Sequence, residues 1–297
     1  MGFIKKVVKN RKISLFCYLI LNVSIFTFFI NWLLTGGNGE FNLMSIAGAL
    51  ELYAVSVIIA TSPIGEWAFR LQLGCHKIER ADQLERLEPL FNEVYSRAKQ
   101  LNPSLSDKVE LVMNNDREPN AFAGGRKTIC ITKGMYEKCT DEELKGVIAH
   151  EFSHIANRDT DLILVVTVGN ILVTATAILV RLIFGILSKI GTVISSFGSK
   201  KSKFAEFNSM VADFVVIALV WVWAKIGQHV VLSSCRQEEF KADLFACKNG
   251  YGVGLCSFLD KYSAVSNKGV FAALSSKHPS TKDRIHRLQE LGCSYEK

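Results

Sequence analysis

Residues 150–154 read His-Glu-Phe-Ser-His, two imidazoles four positions apart with a carboxylate beside the first. On an α-helix, positions i and i+4 share a face, so both rings can reach one metal ion. Glu151 is the next residue round and can hold a water on that metal. Zinc lowers the pKa of such a water to about 7, and the carboxylate takes its proton as the water attacks a carbonyl. The implied chemistry is hydrolysis. Chance produces this pattern in roughly one chain in a hundred of this composition, so the context has to decide. Thr140-Asp141-Glu142-Glu143 forms a capping box that opens a helix predicted through Ile155. Leu144, Val147 and Ile148 lie at helical spacing, which would bury one face and hold the histidines rigid.

Catalytic zinc takes a third protein ligand and keeps one position open. No further histidine motif follows His154, where the chain reads Ile155-Ala156-Asn157-Arg158-Asp159. The other histidines are His76, His229, His278 and His286. Among carboxylates, the run from Arg236 to Asp243 stands out, because Glu239 and Asp243 are four apart on one helical face. One of them can bind metal while the other orients a histidine. Without the histidine pair, the same run would read as a solvated helix face.

These residues need elements to carry them, and much of the chain is apolar. Ile13 to Leu34 has no charge and would span about 33 Å as a helix, enough for a bilayer core. Phe41 to Ala60 reads as the return leg of a hairpin, with Glu51 expected to face another helix rather than lipid. Five basic residues precede the first run and none lies in the connection, which places the N-terminus in the cytoplasm. Leu162 to Leu187 is a third apolar run, interrupted by Arg181, and a weaker fourth extends over 204–232. Lys189, Lys200, Lys201 and Lys203 between them break the positive-inside rule if that loop is outside. The organisation read from the chain is a hairpin over 1–62, a soluble block over 63–161, a second hairpin over 162–232 and a second soluble block over 233–297. If Glu239 shares a metal with His150 and His154, an even number of crossings must separate them, and the second hairpin supplies two. His154 precedes Leu162 by 8 residues, about 12 Å of helix, so the site is expected close to the membrane surface.

Within the soluble blocks, Leu84, Leu87, Leu90, Phe91, Val94, Ala98 and Leu101 predict a core-facing helix over 81–101. Val109–Met113 and Thr128–Thr132 alternate like strands, with Gly124-Gly125 in the turn between them. Trp67 and Phe69 read as interfacial anchors, and a helix is expected around 282–291. Composition agrees with a mixed membrane and soluble chain: 49% hydrophobic and 21% charged over 297 residues, with mean hydropathy +0.21. That excludes a disordered chain, a collagen and a small disulfide scaffold. The net charge of +7 is dispersed except for Lys5, Lys6, Lys9, Arg11 and Lys12, with no aromatic-basic platform, so a lipid surface is expected and nucleic acid is not. The eight cysteines form no Cys-x-x-Cys pair and read as reduced, mostly buried thiols.

With these residues in hand, the chain resembles the HtpX-type membrane zinc proteases and, more distantly, the CaaX prenyl proteases of the same gluzincin superfamily. The resemblance rests on Val147–Ile155 around the histidine pair, on Pro119-Asn120-Ala121-Phe122-Ala123, on Glu239-Phe240-Lys241-Ala242-Asp243, and on His278-Pro279 followed by Arg284-Ile285. It implies a mainly α membrane protein with about four transmembrane helices and a small α+β zincin-like catalytic domain. It implies one Zn²⁺ per chain held by His150, His154 and Glu239, with Glu151 as general base and Asp243 behind the ligands. Asn120 would border the substrate cleft, and His278 and Arg284 would lie near the site, His278 stabilising the oxyanion. The implied role is quality control of unfolded or misfolded membrane proteins in a bacterial inner membrane, in cooperation with other membrane proteases, with the active site facing the cytoplasm. A CaaX-type processing protease is the alternative within the superfamily, set back by the four candidate spans. A non-catalytic, zinc-stabilised scaffold is set back by Glu151, which a structural zinc site does not need.

Overall fold

The computed structural model describes residues 2–35, 42–195, 218, 221–223, 225, 226, 238–262 and 280–293. The fourth apolar run therefore lies largely outside the described residues, as do His229, Cys235 and His278. The chain divides into two compact units, Met1–Ile58 with Val165–Val231, and Ile59–Leu164 with Leu232–Lys297.

The first unit holds α1 (Gly2–Leu34), most of α2 (Leu43–Ala60) and the greater part of α7 (Asp159–Ser195). Arg181 does not break α7, which runs on unbroken to Ser195. Phe26, Ala49, Tyr53 and Val173 form this unit's small core. A polar cluster lies beside it. The Tyr18 hydroxyl donates to Asn170 Oδ1, and Trp223 Nε1 donates to Asn22 Oδ1 at 2.8 Å. Gly169 allows that approach: a Cβ there would stand 2.6 Å from the Tyr53 hydroxyl. Among the described residues, α2 alone is long and apolar enough to cross a membrane, while Tyr18–Leu34 and Val168–Ile183 are shorter apolar stretches. Glu51 corrects one expectation. It stands exposed on α2, about 200° round the helix from buried Ala49 and Tyr53.

The second unit is an α+β assembly. Its elements are α3 (Pro63–Gln72), β1 (His76–Lys77), α4 (Ala81–Leu101), β2 (Glu110–Asn114), β3 (Ala121–Gly124) and β4 (Thr128–Thr132). They continue through α5 (Lys133–Lys138), α6 (Asp141–Asn157), α8 (238–248), α9 (Gly252–Tyr262) and α10 (Thr281–Glu290). The sheet order is β1-β2-β4-β3, with β2 and β4 parallel and the outer pairs antiparallel. The glycine pair thus does not join the two expected strands as a hairpin. It joins β4 to β3, a four-residue strand whose inward face is mostly alanine and which carried little apolar alternation to betray it.

Leu87, Phe91 and Val94 of α4, Ile129 and Ile131 of β4, and Leu144, Ile148 and Phe152 of α6 meet in one core with Leu255 and Leu288. Leu84 and Leu101 of α4 stay exposed, and Gln83 is buried instead of Leu84. The capping box on α6 is fully formed, with the Thr140 hydroxyl and the Glu143 side chain each accepting from the other's backbone N–H. Behind α6, Gly146 and Gly254 bring α6 and α9 together backbone to backbone. A Cβ on Gly146 would meet Leu255 N at 2.3 Å, and one on Gly254 would meet Glu142 O at 2.0 Å.

The cysteine expectation also needs correcting. Cys247, at the end of α8, and Cys293, after α10, form a disulfide across 46 residues. The left-handed Gly292 (φ 86°) folds the chain back after α10 and brings Cys293 to α8. Cys75, Cys130, Cys139 and Cys256 are free.

Candidate metal centre

Helix α6 carries His150, Glu151 and His154 in its last two turns, backed by the buried Phe152. Helix α8 brings Glu239 and Asp243 to the same point on one face, and α10 adds Arg284. The three elements are far apart in sequence, and their meeting is the work of the core above.

The distances define the centre. His150 Nε2 and His154 Nε2 lie 3.3 Å apart, and Glu239 oxygens lie 3.4 Å from the first and 3.6 Å from the second. All three ligand atoms fall within 4.8 Å of one another. Two nitrogens bound tetrahedrally at about 2.05 Å are separated by about 3.3 Å, so the donor set and its spacing fit zinc. His150, Glu151, Glu239, Asp243 and Arg284 are all buried.

The far side of each ring is also fixed. Asp243 Oδ1 stands 3.0 Å from His150 Nδ1, and Asp159 Oδ2 stands 2.8 Å from His154 Nδ1. With a carboxylate on each Nδ1–H, both Nε2 lone pairs point into the centre. Arg284 ties the second helix down: its Nε and Nη2 donate to Asp243 at 2.9 and 2.6 Å, and its Nη1 lies 3.2 Å from Glu239. Asp159 escaped sequence reasoning. Its signal was position, since Arg158 ends α6 in a left-handed turn (φ 57°) and turns the next residue back onto the last helical histidine.

Electrostatics follow from this packing. Burial works against a charge on His150, but Asp243 and Glu239 outweigh it and raise its pKa to about 10. His154 moves the same way, with burial opposed chiefly by Asp159. Burial raises Glu151 above the ordinary carboxylate range, against the two histidines. Asp243 is pushed up by burial yet held down at about 2, first by the Arg284 charge.

Glu151 accepts the Ala123 backbone N–H at 2.7 Å, so the base is tied to strand β3. That strand is an edge of the sheet. Asn120, exposed just before it, accepts the Ala121 N–H through its own Oδ1 at 2.9 Å. The structure therefore brings together His150, Glu151, His154, Glu239, Asp243 and Arg284, and sets Asn120 at the strand that Glu151 touches. His278 lies outside the described residues.

The family model described as "Peptidase family M48" matches residues 83–292 of this chain. Among curated relatives, a "Protease HtpX homolog" of Tropheryma whipplei is 31% identical over 211 residues, covering 62% of this chain and 66% of that protein. Another of the same name, from Campylobacter concisus, is 31% identical over 201 residues, covering 58% and 65%. The matched part thus spans just under two thirds of the length of these relatives. Among solved structures, that of S. mikatae Ste24p is similar at TM-score 0.45 and 19% identity, over 97% of this chain and 65% of that one.

Proposed function

This chain belongs to peptidase family M48, and from that premise we propose that it is a zinc-dependent endopeptidase of the membrane. One observation carries the reading. His150 Nε2, His154 Nε2 and Glu239 converge at tetrahedral zinc spacing, while buried Glu151, the next residue round α6 from His150, is held by the Ala123 N–H. A bound zinc ion supplies Lewis acidity, which lowers the pKa of a water and polarises a carbonyl. The chain's own residues do the rest. Glu151, raised by burial toward the working range of a base, takes the water's proton and passes it to the leaving amine. Ala123 N–H holds that carboxylate in place. Asp243 and Asp159 orient the histidines, and Arg284 neutralises the carboxylates of α8 and so holds Glu239 where it can bind. The scissile peptide adds to the outer side of β3, the edge strand among the described residues, beside Asn120. His278 is assigned to the oxyanion on the family resemblance alone.

The apolar helices and the resemblance support an integral membrane protein with the centre on the cytoplasmic side. Its substrates are then unfolded or damaged membrane proteins, and its role is quality control. The test compares purified wild type with Glu151→Gln. Both should hold about one zinc per chain, because Glu151 is not a ligand, and only the wild type should cut an unfolded protein. Equal cleavage by the variant rejects the mechanism. Failure of metal-free wild type to take up zinc rejects the centre.

A further inference from the structure

The β3–β4 turn is clamped from two sides by carboxylates that serve neither the core nor the metal centre. From α3, Glu66 accepts the backbone N–H of Arg126 at 3.3 Å and of Lys127 at 3.2 Å, and the Thr128 hydroxyl at 2.5 Å. Its stem fills the space over Gly125 (φ 76°), where a Cβ would lie 2.7 Å from Glu66 Cδ. Phe69 of the same helix lies against Gly124. From the first turn of α7, Asp161 takes a forked pair from Arg126, with Nε at 3.0 Å from both oxygens and Nη2 at 2.8 Å from one. Glu66 stands three residues past Pro63, and α3 itself begins three residues after α2 ends. The two anchors therefore belong to the segments where the chain leaves one apolar helix and enters the next.

The turn they grip ends the strand that matters. Gly124 follows Ala123, whose N–H holds Glu151, and β3 is an edge strand of the sheet among the described residues. A short edge strand paired with one other strand relies on its turn to fix its level, and a strand out of level meets an extended peptide with poorer main-chain hydrogen bonds, which weakens docking.

We propose that Glu66 and Asp161 are positioning residues for peptide docking: they set β3 from the chain segments that flank the apolar helices. This rests on the peptidase reading. The test uses the full-length protein and a quenched fluorescent peptide. Glu66→Ala, Thr128→Val, Arg126→Asp and Asp161→Arg should each raise KM, by about tenfold for the charged positions, with kcat changed less and zinc content unchanged. Peptide affinity measured in the Glu151→Gln background should weaken in parallel, a readout that needs no cleavage. Arg126→Asp combined with Asp161→Arg should recover most of the loss, because the pair is re-formed in reverse. Unchanged KM and affinity overturn the proposal, as does a fall in zinc content, thermal midpoint and kcat together without rescue by the reversed pair. A wild type that binds the peptide and does not cut it instead rejects the peptidase reading.

Discussion

At the scale of single residues, the centre depends on carboxylates that never reach the metal. Asp243 and Asp159 each hold one Nδ1–H and leave the Nε2 lone pairs facing inward. Removing such a partner frees the ring to rotate and lowers its basicity. Asp243→Ala and Asp159→Ala should each weaken zinc by about 10- to 100-fold, read by titration against a chelator, with the fold retained by circular dichroism. Asp243→Ala should be the worse of the two, because Arg284 then faces Glu239 alone in a buried site. Asp159 sits at a helix end and is less enclosed, so its loss is softened by water.

At the scale of elements, α6 is the part whose failure would take the centre with it. Its N-terminus is capped reciprocally by Thr140 and Glu143, and Thr140→Ala should cost about 1 kcal/mol in thermal or denaturant unfolding. Glu143 is itself buried, which raises its pKa, but Lys261, the Thr140 N–H and Ser257 outweigh that and hold it below the ordinary value. A depressed folded pKa means stability that is present above the unfolded value, near 4.3, and lost as pH falls through the folded value. Unfolding midpoints should therefore fall in acid, and Glu143→Gln should flatten that dependence. The opposite face of α6 is equally exacting. Gly146→Ala drives a methyl into the Leu255 backbone, so it should destabilise by about 1–3 kcal/mol or more and loosen α9.

At the scale of the whole molecule, the proposed function requires both soluble blocks on one side of a bilayer. Reporter fusions decide this. With four crossings, a fusion after Asn38 and one near residue 197 should report the far side, while fusions near residue 102 and at the C-terminus report the cytoplasm. Matching signals from Asn38 and the C-terminus would exclude the four-span arrangement. The fusion near 197 also shows how Lys189 to Lys203 are tolerated.

What the sequence by itself determined was local. The two histidines share a face, with Glu151 the next residue round, because a helix repeats every 3.6 residues; the apolar positions of α4 and α6 follow from the same periodicity, and the capping box from the Thr140-x-x-Glu143 spacing. Glu239 and Asp243 could be placed on one face for the same reason, but which of them meets the metal came only from resemblance. Tertiary structure decided what depends on contact between distant segments. It set Asp243 and Arg284 behind the ligands, turned Asp159 back onto His154, and tied Glu151 to Ala123. It also placed β3 at the edge of the sheet, joined Cys247 to Cys293, and left Glu51 facing outward. The physical reason is common to all of these: a hydrogen bond or a burial between residues many positions apart leaves no period in the chain, so it exists only once the core has brought its elements together.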